Sequence, residues 1–247
     1  ERAWLLAHDT DAAPAPALGI FEALCARRVH GEPLAYLVGH KEFFGLELAV
    51  DARVLTPRPD TETLVEWALQ VLASEPAPRV IDLGTGSGAI ALAIKRHRPD
   101  AFVAAIDRSA GALEVARANG QRLALEVDWR DGNWLDGAAG GWRLIVSNPP
   151  YVAQDDPHLQ ALKHEPLSAL ASGADGLDDL RAIVSQAPAK LAAGGWLLLE
   201  HGWDQAAAVR ELLTQTGFHD VASRKDLAGH DRCSGGLWPG ASERPAL

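Results

Sequence analysis

Cysteine is scarce in this chain and methionine is absent. The 247 residues include two cysteines, Cys25 and Cys233, which lie far apart and form no C-x-x-C pattern. Their placement argues against a disulfide framework and a zinc site, and it favours ordinary thiols in a reducing cytoplasm. Because the chain begins at Glu1 and lacks methionine, we expect the native N-terminus, with any targeting segment, to lie outside this sequence.

The chain also has fewer basic than acidic residues, and its apolar runs are short. The sequence has 23 lysines and arginines against 33 acidic residues, a formal net charge of -10, and no stretch dense in basic residues. We therefore expect no stable binding to nucleic acid. No apolar run approaches the roughly 18 residues of a membrane span and no signal peptide is visible, so we expect no membrane association.

The order of strands and helices predicts an α/β fold. From residue 79 onward, apolar runs alternate with helical patterns, as in a parallel sheet with right-handed crossovers. We predict strands over residues 80–83, 102–106, 123–127, 142–146 and 196–200, followed by two antiparallel strands between residues 218 and 237. We predict helices over residues 89–97, 110–119, 176–192 and 205–216, the third of them stopped by Gly194 and Gly195. Residues 238–247, rich in proline and glycine, are expected to be frayed.

The first 57 residues differ in character from the rest. Residues 1–33 carry helix-compatible apolar spacing broken at Pro14 and Pro16, and we interpret them as the remnant of a small helical domain. Residues 34–57 alternate apolar and polar side chains and predict a β-hairpin linker, and residues 58–247 form the main domain. Within it, Asp60 or Thr61 is expected to cap a helix whose apolar face begins at Leu64.

A glycine-rich turn follows the first predicted strand of the main domain. Its sequence is Gly84-Thr85-Gly86-Ser87-Gly88, and Asp107 ends the next strand. Such glycines let the backbone approach a nucleotide cofactor, while a carboxylate at the next strand end holds the ribose hydroxyls. The G-x-G-x-G spacing and the nearby Asp82 favour a positively charged cofactor without a pyrophosphate. A purely structural glycine turn is the alternative.

A second candidate contact follows the third predicted strand, in Asp131-Gly132-Asn133-Trp134. The Trp134 ring is suited to cover an adenine ring, and Asp131 or the backbone to bond the edge of that ring. Packing of Trp134 in the core is an equally good interpretation of this spacing.

The segment Asn148-Pro149-Pro150-Tyr151 follows the strand predicted at residues 142–146. The two prolines fix the backbone in a rigid, extended turn. The Asn148 side-chain oxygen and nearby main-chain carbonyls could accept both hydrogens of one planar NH2 group, and Tyr151 offers a flat surface beside it. The turn therefore predicts a site for an amide or an exocyclic amine. A loop that simply ends a strand is the alternative.

Residues 152–174 form a long polar stretch that we interpret as a lid. It contains His164 and Glu165, but no H-x-x-x-H spacing accompanies them, so we predict no metal site. For Arg58, Thr61 and Glu62, roles as loop and capping residues and roles in contacting a ligand are both open.

Taken together and in order, these motifs resemble those of the HemK/PrmC release-factor glutamine methyltransferases. The resemblance covers residues 1 to about 237. Its motifs are Pro57-Arg58-Pro59-Asp60-Thr61-Glu62, Asp82-Leu83-Gly84-Thr85-Gly86-Ser87-Gly88, Asn148-Pro149-Pro150-Tyr151, His164-Glu165-Pro166 and Leu199-Glu200-His201-Gly202. It implies a seven-stranded, Rossmann-like S-adenosylmethionine-dependent methyltransferase sheet over residues 58–247, behind a truncated N-terminal helical domain. The Gly-rich Cys233-Ser234-Gly235-Gly236 departs from the expected last strand and leaves the extent of that strand open.

The resemblance also implies a reaction and its residues. The cofactor would be S-adenosylmethionine, with S-adenosylhomocysteine as product, and the substrate would be the glutamine side-chain amide in the Gly-Gly-Gln loop of class I peptide chain release factors. The implied cofactor contacts are Gly84, Thr85, Gly86, Ser87 and Gly88 for the methionine moiety, Asp107 for the ribose and Trp134 near the adenine, and the implied substrate contacts are Asn148, Pro149, Pro150 and Tyr151. From their places in the sequence we add Asp82, Asp131 and Asn148 as cofactor contacts and Arg58 as a substrate contact, and we predict that Asn148 and Pro149 are the catalytic pair.

Two other functions are compatible with the same motifs. A flipped adenine would present the same planar NH2 group, which makes an adenine amino-methyltransferase acting on DNA or RNA the first alternative. The net charge of -10 disfavours it. A non-catalytic cofactor-binding scaffold is the second alternative, and the intact Asn148-Pro149-Pro150-Tyr151 segment argues against it.

Overall fold

A seven-stranded mixed sheet forms the centre of the molecule, as a computed structural model describes it for residues 2–12 and 14–240. Its strands are β3 (Arg79–Leu83), β4 (Phe102–Asp107), β5 (Asp128–Asp131), β6 (Trp142–Ser147), β7 (Leu191–Glu200), β8 (His219–Lys225) and β9 (Asp231–Trp238). Their spatial order is β5-β4-β3-β6-β7-β9-β8, with the first five parallel and β9 antiparallel to β7 and β8. The predicted α/β methyltransferase-like fold is confirmed.

Helices cover both faces of this sheet. They are α4 (Glu62–Val71), α5 (Ala89–His97), α6 (Ala110–Leu123), α7 (Asp178–Gln186) and α8 (Ala206–Thr216). Val80 points into the cluster that contains buried residues of α4 and α5, whereas its neighbour Ile81 packs with those of α7 and α8. This alternation follows from the period of two in a strand, and it explains why the central strands are apolar throughout.

The N-terminal part precedes this sheet as short helices and a separate hairpin. Helices α1 (Arg2–Ala7), α2 (Ala15–Val29) and α3 (Leu34–Val38) lead to the strands β1 (His40–Phe43) and β2 (Leu46–Ala49). The helical prediction for the first 30 residues agrees with α1 and α2. The predicted hairpin is narrower than residues 34–57, because residues 34–38 are helical. None of the described helices is long and apolar enough to cross a membrane.

The prediction of a third strand at residues 123–127 is wrong. Helix α6 runs on to Leu123, the chain turns at Ala124 with φ 53°, and the strand is β5. Leu123, Leu125 and Val127 are apolar because they pack against the core from outside the sheet. The true strand lies at the edge of the sheet and pairs only with β4, so charged side chains are tolerated there.

The predicted helix over residues 176–192 is also too long. Helix α7 ends at Gln186, Pro188 lies in the short 3-10 turn Ala187–Ala189, and β7 then begins at Leu191. The two glycines expected to stop the helix therefore lie inside a strand, beside an irregularity in the β6–β7 register. At Gly195 an added Cβ would lie 2.9 Å from the carbonyl oxygen of Trp142, so glycine is needed for the close approach of the two backbones.

Two smaller predictions need correction. Neither Asp60 nor Thr61 caps the helix through its side chain in the described structure: Pro59–Thr61 is a 3-10 turn that continues into α4. The last strand, β9, includes all of the Gly-rich segment and extends to Trp238, which was expected to be frayed. Residues 239–240 follow it outside any strand, and residues 241–247 of that expectation lie outside the described residues.

Candidate active site

The candidate site lies where the strand order reverses. The chain first adds β4 and β5 on one side of β3 and then places β6 on the other side. Leu83 at the end of β3 pairs with Ser147 at the end of β6, and the Ser147 hydroxyl donates a hydrogen bond of 2.7 Å to the Leu83 carbonyl. The glycine turn and Asn148 therefore emerge side by side, at the position where open parallel sheets bind ligands.

Hydrogen bonds to backbone groups hold the glycine turn and Asp107 together. Gly86 N donates to Asp107 Oδ2 at 2.9 Å, and Ser109 N donates to Asp107 Oδ1 at 2.8 Å. Gly84, Gly86 and Gly88 all have positive φ, which other residues rarely adopt. The carboxylate at the end of β4 is thus fixed at the edge of the turn.

Two adjoining clefts open at these strand ends. The first cleft is lined by Arg53, Val54, Leu55, Gly84, Gly86, Asp107, Arg108, Ser109, Ala112, Gly132, Asn133, Trp134, Asn148, Pro150, Pro166, Ser168 and Ala169. The second cleft is lined by Leu55, Pro57, Arg58, Thr61, Gly84, Thr85, Gly86, Ser87, Ala89, Ile90 and Asn148. Asn148 and the glycine turn belong to both linings, so they stand where the two clefts meet.

Asp82 lies buried beneath the glycine turn. Its Oδ2 accepts a hydrogen bond of 2.6 Å from the Thr85 hydroxyl, while Oδ1 has no hydrogen-bond partner among the described residues. Burial raises the pKa of this carboxyl group to about 7, against the opposing effects of the Thr85 hydroxyl and the Ala91 backbone N–H. An unpaired, buried acceptor of this kind costs free energy that a cationic ligand group could offset.

Trp134 packs against the glycine turn. A Cβ added at Gly84 would lie 3.2 Å from Trp134 Cζ3, and the indole N–H donates to Asp179 Oδ1 at 3.2 Å. The ring belongs to the buried core and also lines the first cleft, so core packing is confirmed and contact with an adenine ring stays a prediction. Asp131, the last residue of β5, is exposed and lines neither cleft. The three residues that follow it all line the first cleft.

The Asn148-Pro149-Pro150-Tyr151 turn presents its residues to different surroundings. The Asn148 side-chain amide donates to the Thr61 hydroxyl at 3.2 Å, and Pro150 lines the first cleft. The Tyr151 hydroxyl lies 3.5 Å from Glu200 Oε1, and Tyr151 N donates to the Leu170 carbonyl at 3.1 Å. Tyr151 therefore anchors the turn to β7 and to the segment predicted as a lid.

That segment contributes Pro166, Ser168 and Ala169 to the first cleft. It carries two 3-10 turns, Pro157–Leu162 and Leu167–Ala169. Arg108 Nη2 donates to the Ser168 carbonyl at 3.2 Å, so the segment is tied to the residue that follows Asp107. Its position agrees with the prediction of a lid over the site.

Glu165, in the same segment, has a structural role that the sequence did not reveal. Its buried carboxylate accepts a hydrogen bond of 3.0 Å from Thr56 N and pairs with the Arg58 guanidinium. His164, beside it, lies with Nε2 3.0 Å from the His30 carbonyl oxygen at the end of α2. The His164-Glu165-Pro166 motif was visible in the sequence, but its partners lie more than 100 residues away along the chain.

Replacing Glu165 by alanine should lower the free energy of unfolding by about 2 kcal/mol, because it leaves the buried Thr56 N–H without an acceptor. Urea denaturation of the variant and of the unmodified protein measures this loss. Glu165→Gln is the matched control: it keeps an acceptor oxygen and should lose less. An alanine variant as stable as the unmodified protein would contradict the assigned role.

The described residues hold no group of three or more histidine, cysteine or carboxylate side chains arranged for a metal ion.

The structure also places the three residues whose roles the sequence left open. Glu62 accepts a hydrogen bond of 3.1 Å from Phe44 N and so ties α4 to the hairpin. Arg58 and Thr61 both line the second cleft.

Comparison with known proteins identifies related sequences. Residues 61–217 match the methyltransferase small domain, and residues 1–39 match the PrmC N-terminal domain. The release factor glutamine methyltransferase of Xylella fastidiosa (strain Temecula1) is 51% identical over 244 residues, covering 97% of this chain and 89% of that protein. The protein of the same name from Bordetella pertussis is 52% identical over 239 residues, covering 95% and 88%.

Solved structures agree on the fold. A methyltransferase from Pyrococcus furiosus superimposes with a TM-score of 0.59 at 19% identity, covering 87% of this chain and 97% of that one. The hMettl16 catalytic domain, solved in complex with MAT2A 3'UTR hairpin 1, gives a TM-score of 0.65 at 16% identity, covering 83% and 78%. These identities are too low to carry more than the fold. The sequence relatives go further, and the chain belongs to the family of release factor glutamine methyltransferases.

Proposed function

We propose that this chain transfers a methyl group from S-adenosylmethionine to the side-chain amide nitrogen of the glutamine in the Gly-Gly-Gln loop of class I peptide chain release factors. The observation that carries the proposal is the position of Asn148, which lines both clefts. A planar amide held by Asn148 from the second cleft would face a cofactor held in the first. We place the reaction in a reducing cytoplasm, since both cysteines are free thiols.

The residues of the first cleft fit the nucleoside part of S-adenosylmethionine. Asp107 would accept hydrogen bonds from the ribose hydroxyls, because its carboxylate is already fixed by two backbone N–H groups. The Trp134 ring and the neighbouring backbone of Gly132 and Asn133 would border the adenine. Gly86 lines both clefts, and a Cβ there would meet no described atom within 4 Å, so the turn borders open space.

The methionine part of the cofactor would lie along residues 84–88. The unpaired Asp82 Oδ1 beneath this turn fits the positive charge of the cofactor, since a buried carboxylate gains most from a cationic partner. S-adenosylmethionine, when bound, supplies the electrophilic methyl group and the sulfonium leaving group. The chain itself supplies orientation and charge.

The acceptor amide would lie against Asn148 and Pro149. An amide nitrogen is a weak nucleophile because its lone pair is delocalised into the carbonyl group. The Asn148 Oδ1 and Pro149 carbonyl oxygens would accept its two hydrogens and so turn the lone pair toward the methyl carbon. The nitrogen would form one N–C bond as the bond between the methyl carbon and the sulfonium sulfur breaks, and it would lose one N–H proton to solvent water. Arg58, which lines the second cleft, would contact the release factor.

Cofactor affinity should depend on pH through Asp82. The carboxylate dominates above its pKa of about 7, and only this form pairs with a cationic group. Affinity is therefore present above that pKa and lost below it, by about fivefold between pH 7 and pH 6. Isothermal titration of S-adenosylmethionine measures the change, and Asp82→Asn should bind more weakly with a flat profile. If the affinity of the Asp82→Asn protein for S-adenosylmethionine falls as steeply between pH 7 and pH 6 as that of the unmodified protein, the role assigned to Asp82 is contradicted.

A direct assay tests the proposed function. The protein is incubated with S-adenosylmethionine and a class I release factor, and peptide mass spectrometry locates any added methyl group. We expect one methyl group on the glutamine of the Gly-Gly-Gln loop. An unmodified release factor, under conditions where the cofactor binds, would contradict the proposal.

A further inference from the structure

Gln205, the residue before α8, connects the chain beyond β7 to the turn that we place against the acceptor amide. Its side-chain Oε1 accepts a hydrogen bond of 2.8 Å from Gly202 N. Its Nε2 donates to the Tyr151 carbonyl oxygen at 3.0 Å and to the Asp175 carbonyl oxygen at 3.4 Å. A backbone N–H can only donate and a carbonyl oxygen can only accept, so a single orientation of the Gln205 carboxamide satisfies all three partners.

His201, one residue beyond β7, holds the Gly202 peptide from the other side. The His201 side chain is fully buried, and its Nδ1 lies 2.8 Å from the Gly202 carbonyl oxygen, which also accepts a hydrogen bond of 2.9 Å from Gln205 N. Because that oxygen can only accept, Nδ1 carries the hydrogen. Burial lowers the pKa of His201 below its usual value, so the imidazole is neutral at pH 7 and Nε2 is an acceptor.

Ser234 supplies the hydrogen that His201 Nε2 accepts. The Ser234 hydroxyl oxygen lies 2.7 Å from Nε2 and 2.7 Å from the hydroxyl oxygen of Ser223, its partner on β8. Arg210 of α8 donates to the Ser223 hydroxyl at 2.6 Å. Since Arg210 can only donate and Nε2 accepts, both serine hydroxyls donate toward His201. A hydrogen-bond series of fixed direction therefore runs from Arg210 through the two serines to His201.

The turn over residues 148–151 depends on such support from outside. Its two prolines have no backbone N–H to donate, so the chain on either side must hold it. At its start the Ser147 hydroxyl bonds to β3, and at its end the Tyr151 carbonyl accepts from Gln205. The ring of each proline fixes φ and leaves ψ as the one soft torsion. A shift of the Tyr151 peptide would therefore also move the Pro149 carbonyl group.

The hydrogen bond between Gln205 and Tyr151 is closely packed against backbone. A Cβ added at Gly176 would lie 2.2 Å from the Tyr151 carbonyl oxygen and 2.8 Å from Gln205 Nε2. Gly176 also has φ 76°, which other residues rarely adopt. Glycine is thus needed at position 176, and the backbone there covers one side of this hydrogen bond.

We propose that Gln205 and His201 are positioning residues for methyl transfer. They hold the Tyr151 end of the turn, and with it the Pro149 carbonyl oxygen, in the place where that oxygen accepts a hydrogen of the substrate amide. Neither residue lines either cleft, so each acts through the turn and not by touching substrate or cofactor. The inference rests on the proposed function and gives the Leu199-Glu200-His201-Gly202 motif a role in it.

The first test replaces Gln205 by glutamate at pH 8. Gln205→Glu keeps the shape of the side chain and an acceptor for Gly202 N, but its ionised carboxylate would oppose the Tyr151 carbonyl oxygen as a second acceptor. We expect kcat for release-factor methylation to fall about tenfold, the equivalent of one lost hydrogen bond. The dissociation constant of S-adenosylmethionine should stay within about twofold, since the glycine turn and Asp107 are unchanged.

Gln215→Glu is the matched control. Gln215 is an exposed residue near the far end of α8 and lines neither cleft, so the substitution makes the same change of charge away from the turn. Its kcat should equal that of the unmodified protein. Equal kcat values for the two glutamate variants would overturn the proposal.

The second test asks whether His201 acts through Gln205. His201→Phe keeps a ring and removes both nitrogens, and kcat should fall about fivefold because the Gly202 peptide loses one of its donors. The variant that combines His201→Phe with Gln205→Glu should have the same kcat as Gln205→Glu alone, since both changes act on one contact. Losses that multiply in the combined variant would overturn the role of His201. The comparison at Gln205 decides the proposal even if His201→Phe does not fold.

The two proposals fail in different ways. If the unmodified protein does not methylate the release factor, the proposed function is wrong. If it does, but Gln205→Glu retains full kcat, the function stands and the positioning role is wrong. Thermal unfolding of each variant is measured alongside: a role in stability alone would lower the unfolding temperature and leave kcat of the folded protein unchanged, which would also overturn the proposal.

Discussion

Replacing Asn148 by alanine should lower kcat for release-factor methylation by about 10³-fold, the loss seen when a catalytic hydrogen-bonding group is removed from a preorganised site. The effect is large because the side-chain oxygen is the group that orients a weakly nucleophilic nitrogen. Affinity for S-adenosylmethionine should change by less than about threefold, since the fixed carboxylate of Asp107 and the glycine turn remain. Single-turnover kinetics and isothermal titration measure the two quantities separately.

Asn148→Asp provides the matched comparison. Its carboxylate can still accept hydrogens from the substrate NH2 group, with the Thr61 hydroxyl free to donate to it, so its loss of kcat should be nearer tenfold. The proposed role would be contradicted if Asn148→Ala reduced cofactor affinity as much as kcat, because the residue would then serve mainly to bind the cofactor.

Gly86→Val should weaken S-adenosylmethionine binding by more than about 100-fold, as two effects combine. The backbone at Gly86 has φ 55°, where a β-branched residue is strained by about 1–2 kcal/mol. The side chain would in addition occupy space at the junction of the two clefts, since a Cβ at this position meets no described atom within 4 Å. Isothermal titration with S-adenosylhomocysteine measures the loss without turnover.

Gly137→Val separates these two effects. Gly137 also has positive φ, 69°, and a Cβ there likewise meets no described atom within 4 Å, but the residue lines neither cleft. The variant should therefore carry the backbone strain and keep normal cofactor affinity. Similar losses of affinity in the two variants would show that strain, and not occupation of the clefts, explains the result.

The strands next to the site were predictable from sequence for a physical reason. Strands β3, β4 and β6 are buried on both faces, so apolar residues predominate in them, and each run is followed by a polar or glycine residue. Edge strand β5 lacks that signal, because it has a neighbouring strand on one side only and three of its four residues, Asp128, Arg130 and Asp131, are charged. The apolar residues at 123, 125 and 127 pack on the core from the end of α6 and from its connection to β5, and their alternation imitates that of a strand.

The parts of the site that sequence reasoning missed depend on contacts between distant segments. Glu165 meets Thr56, 109 residues earlier, and Asn148 meets Thr61, 87 residues earlier. No local pattern records such a pair. The roles proposed for Asp82, Asp107, Trp134 and Asn148 came from their places at strand ends, and they stay predictions until the variants are measured.

Adenine methylation is the alternative that most resembles the proposed chemistry, because its acceptor is also a planar NH2 group. The relatives at 51% and 52% identity bear the name of glutamine methyltransferases over nearly the whole chain. The similar structures, at 16% and 19% identity, carry the fold alone.

The most direct measurement offers S-adenosylmethionine labelled in its methyl group to four acceptors in parallel: a class I release factor, the same factor with the glutamine of its Gly-Gly-Gln loop replaced by alanine, duplex DNA, and structured RNA. We predict label on the side-chain amide of that glutamine in the first sample and none in the other three. Label in adenine, or equal labelling of the release factor that lacks this glutamine, would contradict the account.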